Sequence, residues 1–443
     1  MIRYVKLRNY KSLVKLDVDF MEKKDKPKKL AIIYGENGVG KSNFATSFFT
    51  LNETMHTMSS VEEWDRILEM ANNEEVDKEG YNDFLEKYIK DRYKNTKMII
   101  NEYKTIGSEE NMILEFGFRI KGKNGYYKIE YNNEEIVSET LDYVLIKNQS
   151  CFFNITNNNK DINKNIFTDN SYYKEFKDLV DKYWGKHSLL SILSHEIRDK
   201  KRNYVKNKVE KGFYDVFEYF QSICTKVIGG NRTEFGKVGL KHHIPRNLSK
   251  GSISIKNEKY LDKAEKFIDY FFCKLYADIK KVYYEKEIKN NKINYSLIVK
   301  KNVYGKIIDV SFEKESTGTM NLLELIPFFI SACEGQTVVI DELDKGIHDL
   351  LVDKILDNII DYIKGQLIIT THNTLLIESR IPDKDIYVFN VNRNAEKELV
   401  PITDFNGRIH KNINKRKRYL LGMYGGIPYM SDIDFDELIE NLK

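Results

Sequence analysis

Gly35-Glu36-Asn37-Gly38-Val39-Gly40-Lys41-Ser42 is the stretch on which the reading of this 443-residue chain turns. It fits the spacing G-x-x-x-x-G-K-[ST] and stands between two different patterns. Residues 29–34 before it read as a short buried strand, and Phe44, Ala45, Phe48 and Phe49 after it recur at helical spacing. Strand, glycine loop and helix is the setting in which successive backbone N–H groups curl around phosphate oxygens at a helix N-terminus. Gly35, Asn37, Gly38, Gly40, Lys41 and Ser42 are the expected ATP cradle, with Lys41 reaching the β- and γ-phosphates and the Ser42 hydroxyl ligating Mg²⁺. A chance glycine-rich turn would match the letters but would not need that setting.

Thr337-Val338-Val339-Ile340-Asp341-Glu342 is a second apolar strand, ending in two carboxylates. That arrangement puts one acid, Asp341, beside the magnesium of a phosphate loop and the next, Glu342, beside the attacking water as base. By itself it is an ordinary strand with an acidic turn; paired with the upstream loop it completes a hydrolytic site. The strand Leu367-Ile368-Ile369-Thr370 then delivers Thr371 and His372 to its tip. A lone histidine is usually a plain surface or core residue. One at this place in the series is expected to sense the γ-phosphate.

Length predicts two to three structural units. Hydrophobic residues at 41% and charged residues at 31%, with 29 Tyr and 24 Phe, exclude a disordered tail and point to an aromatic core. A net charge of +4 announces no whole-chain field for nucleic acid or anionic membrane. Cys151, Cys224, Cys273 and Cys333 are scattered without a C-x-x-C pair, so neither a disulfide framework nor a zinc site is expected. The first residues lack an apolar signal core, and the most apolar run, 325–333, is less than half the roughly 20 residues of a membrane span. The expectation is a cytoplasmic protein with no membrane partner.

Alternation through residues 2–20 and 112–146 predicts strands and β-hairpins. Residues 81–93 carry a helical patch, 172–227 long helical patterning and 258–289 a second helical stretch, with alternation returning at 294–312. The expected division is therefore 1–150 as the N-terminal lobe of the head, 151–291 as a mainly helical insert, 292–405 as the C-terminal lobe and 406–443 as a tail. The fold class is α/β, a mixed sheet with a phosphate loop, assembled from the two ends of the chain.

Several stretches also carry a family resemblance: Asn9-Tyr10-Lys11-Ser12, the phosphate loop, Asp341-Glu342-Leu343-Asp344 running on to His348, and Thr370-Thr371-His372-Asn373. Together they resemble the ABC-like ATPase heads, and among these the AAA-type ATPases linked to abortive infection. The tail 419–428, Tyr-Leu-Leu-Gly-Met-Tyr-Gly-Gly-Ile-Pro, is similar to that group's closing motif. The resemblance covers about the first 50 residues and 312–430. It implies ATP and Mg as cofactors and a head-to-tail homodimer or higher homo-oligomer. It further implies a defence role in which the dimer senses a phage-derived trigger or controls a protein effector.

The resemblance also assigns Glu315-Ser316-Thr317-Gly318-Thr319 to a degenerate signature loop, with Ser316 and Gly318 contacting the partner's γ-phosphate, and Asp344 to an acidic loop at the dimer contact. A plain Ser/Thr helix cap would need only one of these residues. Gln149, after a β segment, is the available residue for a glutamine lid. The rival reading is a DNA-repair or chromosome-maintenance ATPase that grips nucleic acid through basic clusters at 198–211, 237–250 and 411–418, although acids interleave the first of these. A module that holds ATP without turning it over is a third, opposed by Glu342.

Overall fold

The computed structural model describes residues 1–22, 26–62, 94–144, 149–228, 234–237, 245, 247–391, 396–405, 414–427, 435 and 439, with the backbone alone at 149 and 234–237. The helical patch at 81–93, most of the basic cluster at 237–250 and residues 411–413 lie outside them.

The strand Leu30–Tyr34 is buried at every position, and this explains the architecture. Leu30, Ile32 and Tyr34 belong to one hydrophobic core and Ala31 and Ile33 to another, so apolar mass covers both faces, as a largely parallel sheet requires. Its spatial order is Glu234–Lys237, Cys224–Ile228, Thr337–Ile340, Gln366–Thr370, Leu30–Tyr34, Ile386–Val391, Lys397–Pro401. The five inner strands run parallel and the two edge strands antiparallel. The fold is the expected α/β class with a mixed sheet. The sheet also recruits the middle of the chain through Cys224–Ile228 and Glu234–Lys237.

On one face a second, antiparallel sheet packs through the core that holds Ala31 and Ile33. Its order is Lys160–Ile162, Gln149–Thr156, Ile136–Val144, Lys123–Tyr131, Met112–Ile120, Ile2–Tyr10, Leu13–Asp19. The helix Lys41–Thr54 lies in this core through Phe44, Ala45, Phe48 and Leu51. Helices Asn170–Tyr183, Leu189–Asp199, Arg202–Lys208 and Lys211–Gln221 join it. The other core holds the helices Thr317–Cys333 and Asp349–Ile359 together with Glu258–Leu275 and a four-stranded antiparallel sheet of residues 250–311.

Two stretches expected as helix are strands. Cys224–Ile228 follows the end of the helix Lys211–Gln221 and pairs in parallel with Thr337–Ile340. In the second stretch the helix stops at Leu275, and Ile279–Lys289 is a strand paired with Lys292–Val303. The apolar spacing Ile279, Val282 is that of a helix, and a β-bulge between Ile279 and Lys281 lets both residues face the core within a strand. The Asn290-Asn291 turn decides between them: with φ of 48° and 61° it is a two-residue connection that matches the twist of a hairpin. The span 151–291, read as one mainly helical insert, contains both helices and strands, and its residues are shared between the two cores.

Candidate nucleotide site

The parallel strands deliver the candidate residues to one end of the sheet. Thr337–Ile340 ends at Asp341, Gln366–Thr370 at His372 and Leu30–Tyr34 at the glycine loop. Asn37 and Gly38 form the exposed tip of that loop, and Gly40 starts the helix with φ of 123° and no side-chain cap. The first-turn N–H groups thus keep their donor capacity for an anion. Lys41 is buried, and its ammonium donates to the carbonyls of Gly35 at 2.8 Å and Glu36 at 2.9 Å. Burial lowers its pKa, and the nearby carboxylates of Asp341 and Glu342 oppose that shift.

Asp341 and Glu342 are organised by a residue that the motif reading passed over. The Thr370 hydroxyl donates to Asp341 Oδ1 at 2.6 Å and accepts the Glu342 N–H at 2.8 Å, so one side chain fixes both acids. Glu342 has φ of 49°, a left-handed conformation uncommon for a residue with a Cβ. Only a threonine closing the apolar strand Leu-Ile-Ile-Thr marked the position in sequence. Burial raises the pKa of Asp341, while hydrogen bonding from Thr370 and Ser42 draws it back. Among the described residues Asp341 Oδ2 is buried without a hydrogen-bond partner. An orphaned carboxylate oxygen beside a serine hydroxyl and the phosphate loop fits a hard divalent cation, whose ligands are oxygens.

The switch loop is tied to the same acids. Asp344 accepts from the Thr371 hydroxyl at 2.8 Å and from the His372 N–H at 3.2 Å. His372 itself is exposed, yet desolvation and then the charge of Lys41 lower its pKa, which keeps the imidazole neutral at neutral pH. Asp344, assigned by resemblance to a dimer contact, here anchors the histidine loop within the chain.

Ser316 and Gly318 stand apart from this group. Ser316 caps the helix Thr317–Cys333 by accepting from the Thr319 N–H at 3.2 Å, and both Ser316 and Thr317 are exposed. A Cβ at Gly318 would lie 2.4 Å from the Gly346 carbonyl, so only glycine permits this contact with the loop after Glu342. Asn321 secures it from the side, donating to the Lys345 carbonyl at 2.8 Å. Gln149 opens the strand Gln149–Thr156, and its side chain lies outside the described residues.

Four cations of the first basic cluster are paired with acids: Arg198 with Glu62, Lys200 with Glu175 and Glu196, Arg202 with Glu218 and Lys208 with Asp169. Among the described residues no helix is long and apolar enough to cross a membrane.

A family model described as "AAA domain, putative AbiEii toxin, Type IV TA system" matches residues 30–378. No curated protein matches the sequence. Similar solved structures include an SmcHead bound to the C-winged helix domain of ScpA, with 14% identity over 90% of this chain and 96% of that chain and a TM-score of 0.44. Another is the SMC head domain from Thermotoga maritima, with 13% identity over 90% and 98% and a TM-score of 0.36. A third is the Smc head domain with an extended coiled coil from Pyrococcus furiosus, bound to the C-terminal domain of ScpA, with 14% identity over 90% and 95% and a TM-score of 0.41.

Proposed function

The chain belongs to this AAA-domain family and is a P-loop ATPase, and from that premise we propose that it is an Mg-dependent ATP hydrolase whose ATP-bound head-to-tail dimer controls a partner effector in abortive-infection defence. The observation that carries the chemistry is the double use of Thr370, which holds Asp341 and Glu342 together at the end of the sheet that also ends in the phosphate loop. Asp341 and Ser42 would hold Mg²⁺, which when bound compensates the charge of the phosphate oxygens. Lys41 leaves the carbonyls of Gly35 and Glu36 for the β- and γ-phosphates. Glu342 takes the proton of the attacking water. His372, kept neutral, offers its imidazole to the γ-phosphate.

Dimerisation is supported by the exposure of Ser316 on a helix N-terminus that the rest of the chain anchors from behind. The family's description as an AbiEii toxin of a Type IV TA system supports the defence role. A protein effector is placed ahead of nucleic acid because acids already pair with Arg198, Lys200, Arg202 and Lys208.

Glu342→Gln tests the scheme. The substitution keeps the volume beside the metal acid and removes the base, so the variant should bind ATP, fail to cleave it and accumulate as a dimer by light scattering. Wild-type turnover by this variant would overturn the base assignment, and an ATP-bound monomer would overturn the dimer.

A further inference from the structure

We propose that the C-terminal segment 414–427 is a positioning clamp for the nucleotide, with Gly426 and Tyr419 acting on the phosphate loop from behind and Arg416 holding the exit of the histidine loop. The proposal rests on the reading of Gly35–Ser42 as the phosphate loop.

The segment begins with Asn414, whose side chain caps the short helix Lys415–Leu420. From this helix Arg416 Nε donates to the Thr374 hydroxyl at 2.9 Å, two residues past His372. The Tyr419 ring packs at a tilt of 58° against that of Tyr34, the residue immediately before Gly35, with ring centres 5.5 Å apart. The Tyr34 hydroxyl in turn donates to the Asn373 carbonyl at 3.0 Å, so one aromatic pair touches both the phosphate loop and the histidine loop.

The chain then turns back at Gly422 and buries Tyr424 under the Arg418 guanidinium, 5.3 Å from the ring centre. That turn brings Gly426 against the start of the phosphate loop. A Cβ at Gly426 would lie 2.4 Å from Val388 Cγ1, 3.2 Å from the Phe389 carbonyl and 3.5 Å from Gly35 Cα. Its φ of 70° is also one that a side chain resists. The Tyr419 hydroxyl donates to the Gly426 carbonyl at 3.1 Å and fixes the approach.

Gly35 is one of the two residues whose carbonyls accept from Lys41. A shift of Gly35 by a few tenths of an ångström would therefore move both the cradle's first backbone groups and the resting place of its lysine. Gly426 holds the start of the phosphate loop in shape from 391 positions away in sequence. It acts through the loops and not by touching phosphate.

The test uses the full chain and a fluorescent ATP analogue with Mg²⁺, together with steady-state hydrolysis and thermal melting without nucleotide. Gly426→Ala should raise Kd and KM about tenfold. Tyr419→Phe, which loses one hydrogen bond and keeps the ring, should raise them about threefold. In both, kcat should stay within about threefold of wild type. A merely structural role would lower the folded fraction, reducing apparent kcat and melting temperature while leaving KM unchanged, and that pattern overturns the clamp. So does binding within twofold of wild type in both variants. Should Gly426→Ala fail to fold, Tyr419→Phe decides alone. Lys41→Ala is the reference: if it binds nucleotide normally, the phosphate-loop reading itself fails, whatever the tail variants do.

Discussion

The phosphate loop and the loop at Ser316–Gly318 are both glycine-containing approaches to a helix N-terminus, and they are finished in opposite ways. Around Gly35–Ser42 the chain supplies Lys41, Asp341, the Thr370 hydroxyl that orients both acids and a tail packed against Gly35. At the second loop the serine hydroxyl is turned into its own helix, Gly318 presses on Gly346, and the outer surface is exposed. The first is closed by residues from distant parts of one chain. The second is braced behind and open in front, which suits a part that completes a site on another copy.

The largest expected effect breaks the closed half. Lys41→Ala should weaken binding of the fluorescent ATP analogue by about a hundredfold or more, because the charge facing the β- and γ-phosphates is gone. Nucleotide affinity near wild type in this variant would remove the basis for calling the half complete.

A smaller loss should come from Thr370→Val, which keeps shape but deprives Asp341 and the Glu342 N–H of their shared hydroxyl. Leaving buried polar groups unpaired costs about 1–3 kcal/mol each, so kcat should fall about ten- to a hundredfold in steady-state assays. An unchanged kcat would mean that the two acids are held by other contacts.

The smallest effect is electrostatic. The charge of Lys41 contributes to lowering the His372 pKa. A Lys41→Met protein, followed by NMR titration of the His372 ring, should therefore show that pKa rising toward the ordinary histidine value, so that the ring stays protonated to higher pH than in wild type. A fall, or no change, would separate the histidine from the phosphate loop.

What could be read from sequence was what is contiguous. Eight residues in a row spell the phosphate loop, and Asp341 follows its strand directly, so both positions are legible in the pattern alone. Thr370 was not legible as a clamp because its role depends on two strands lying side by side, 29 residues apart along the chain. The tail's contact with Gly35 is less local still. The strand Ile279–Lys289 reads as helix because Ile279 and Val282 stand at helical spacing and only a β-bulge turns both toward the core, while the left-handed Asn290-Asn291 turn marks the hairpin. The strand Cys224–Ile228 is hidden by the helical pattern running into it.

The shared site is tested most directly by mixing two inactive proteins, Lys41→Ala and Ser316→Arg, the second filling the space opposite the partner's γ-phosphate. In a mixed dimer one composite site retains both Lys41 and Ser316. With equal amounts and random pairing, half the dimers are mixed, and hydrolysis should return to on the order of a quarter of wild type. A Ser316→Arg protein that hydrolyses ATP at the wild-type rate by itself would contradict the account, since nothing at that loop could then be required by the partner's nucleotide.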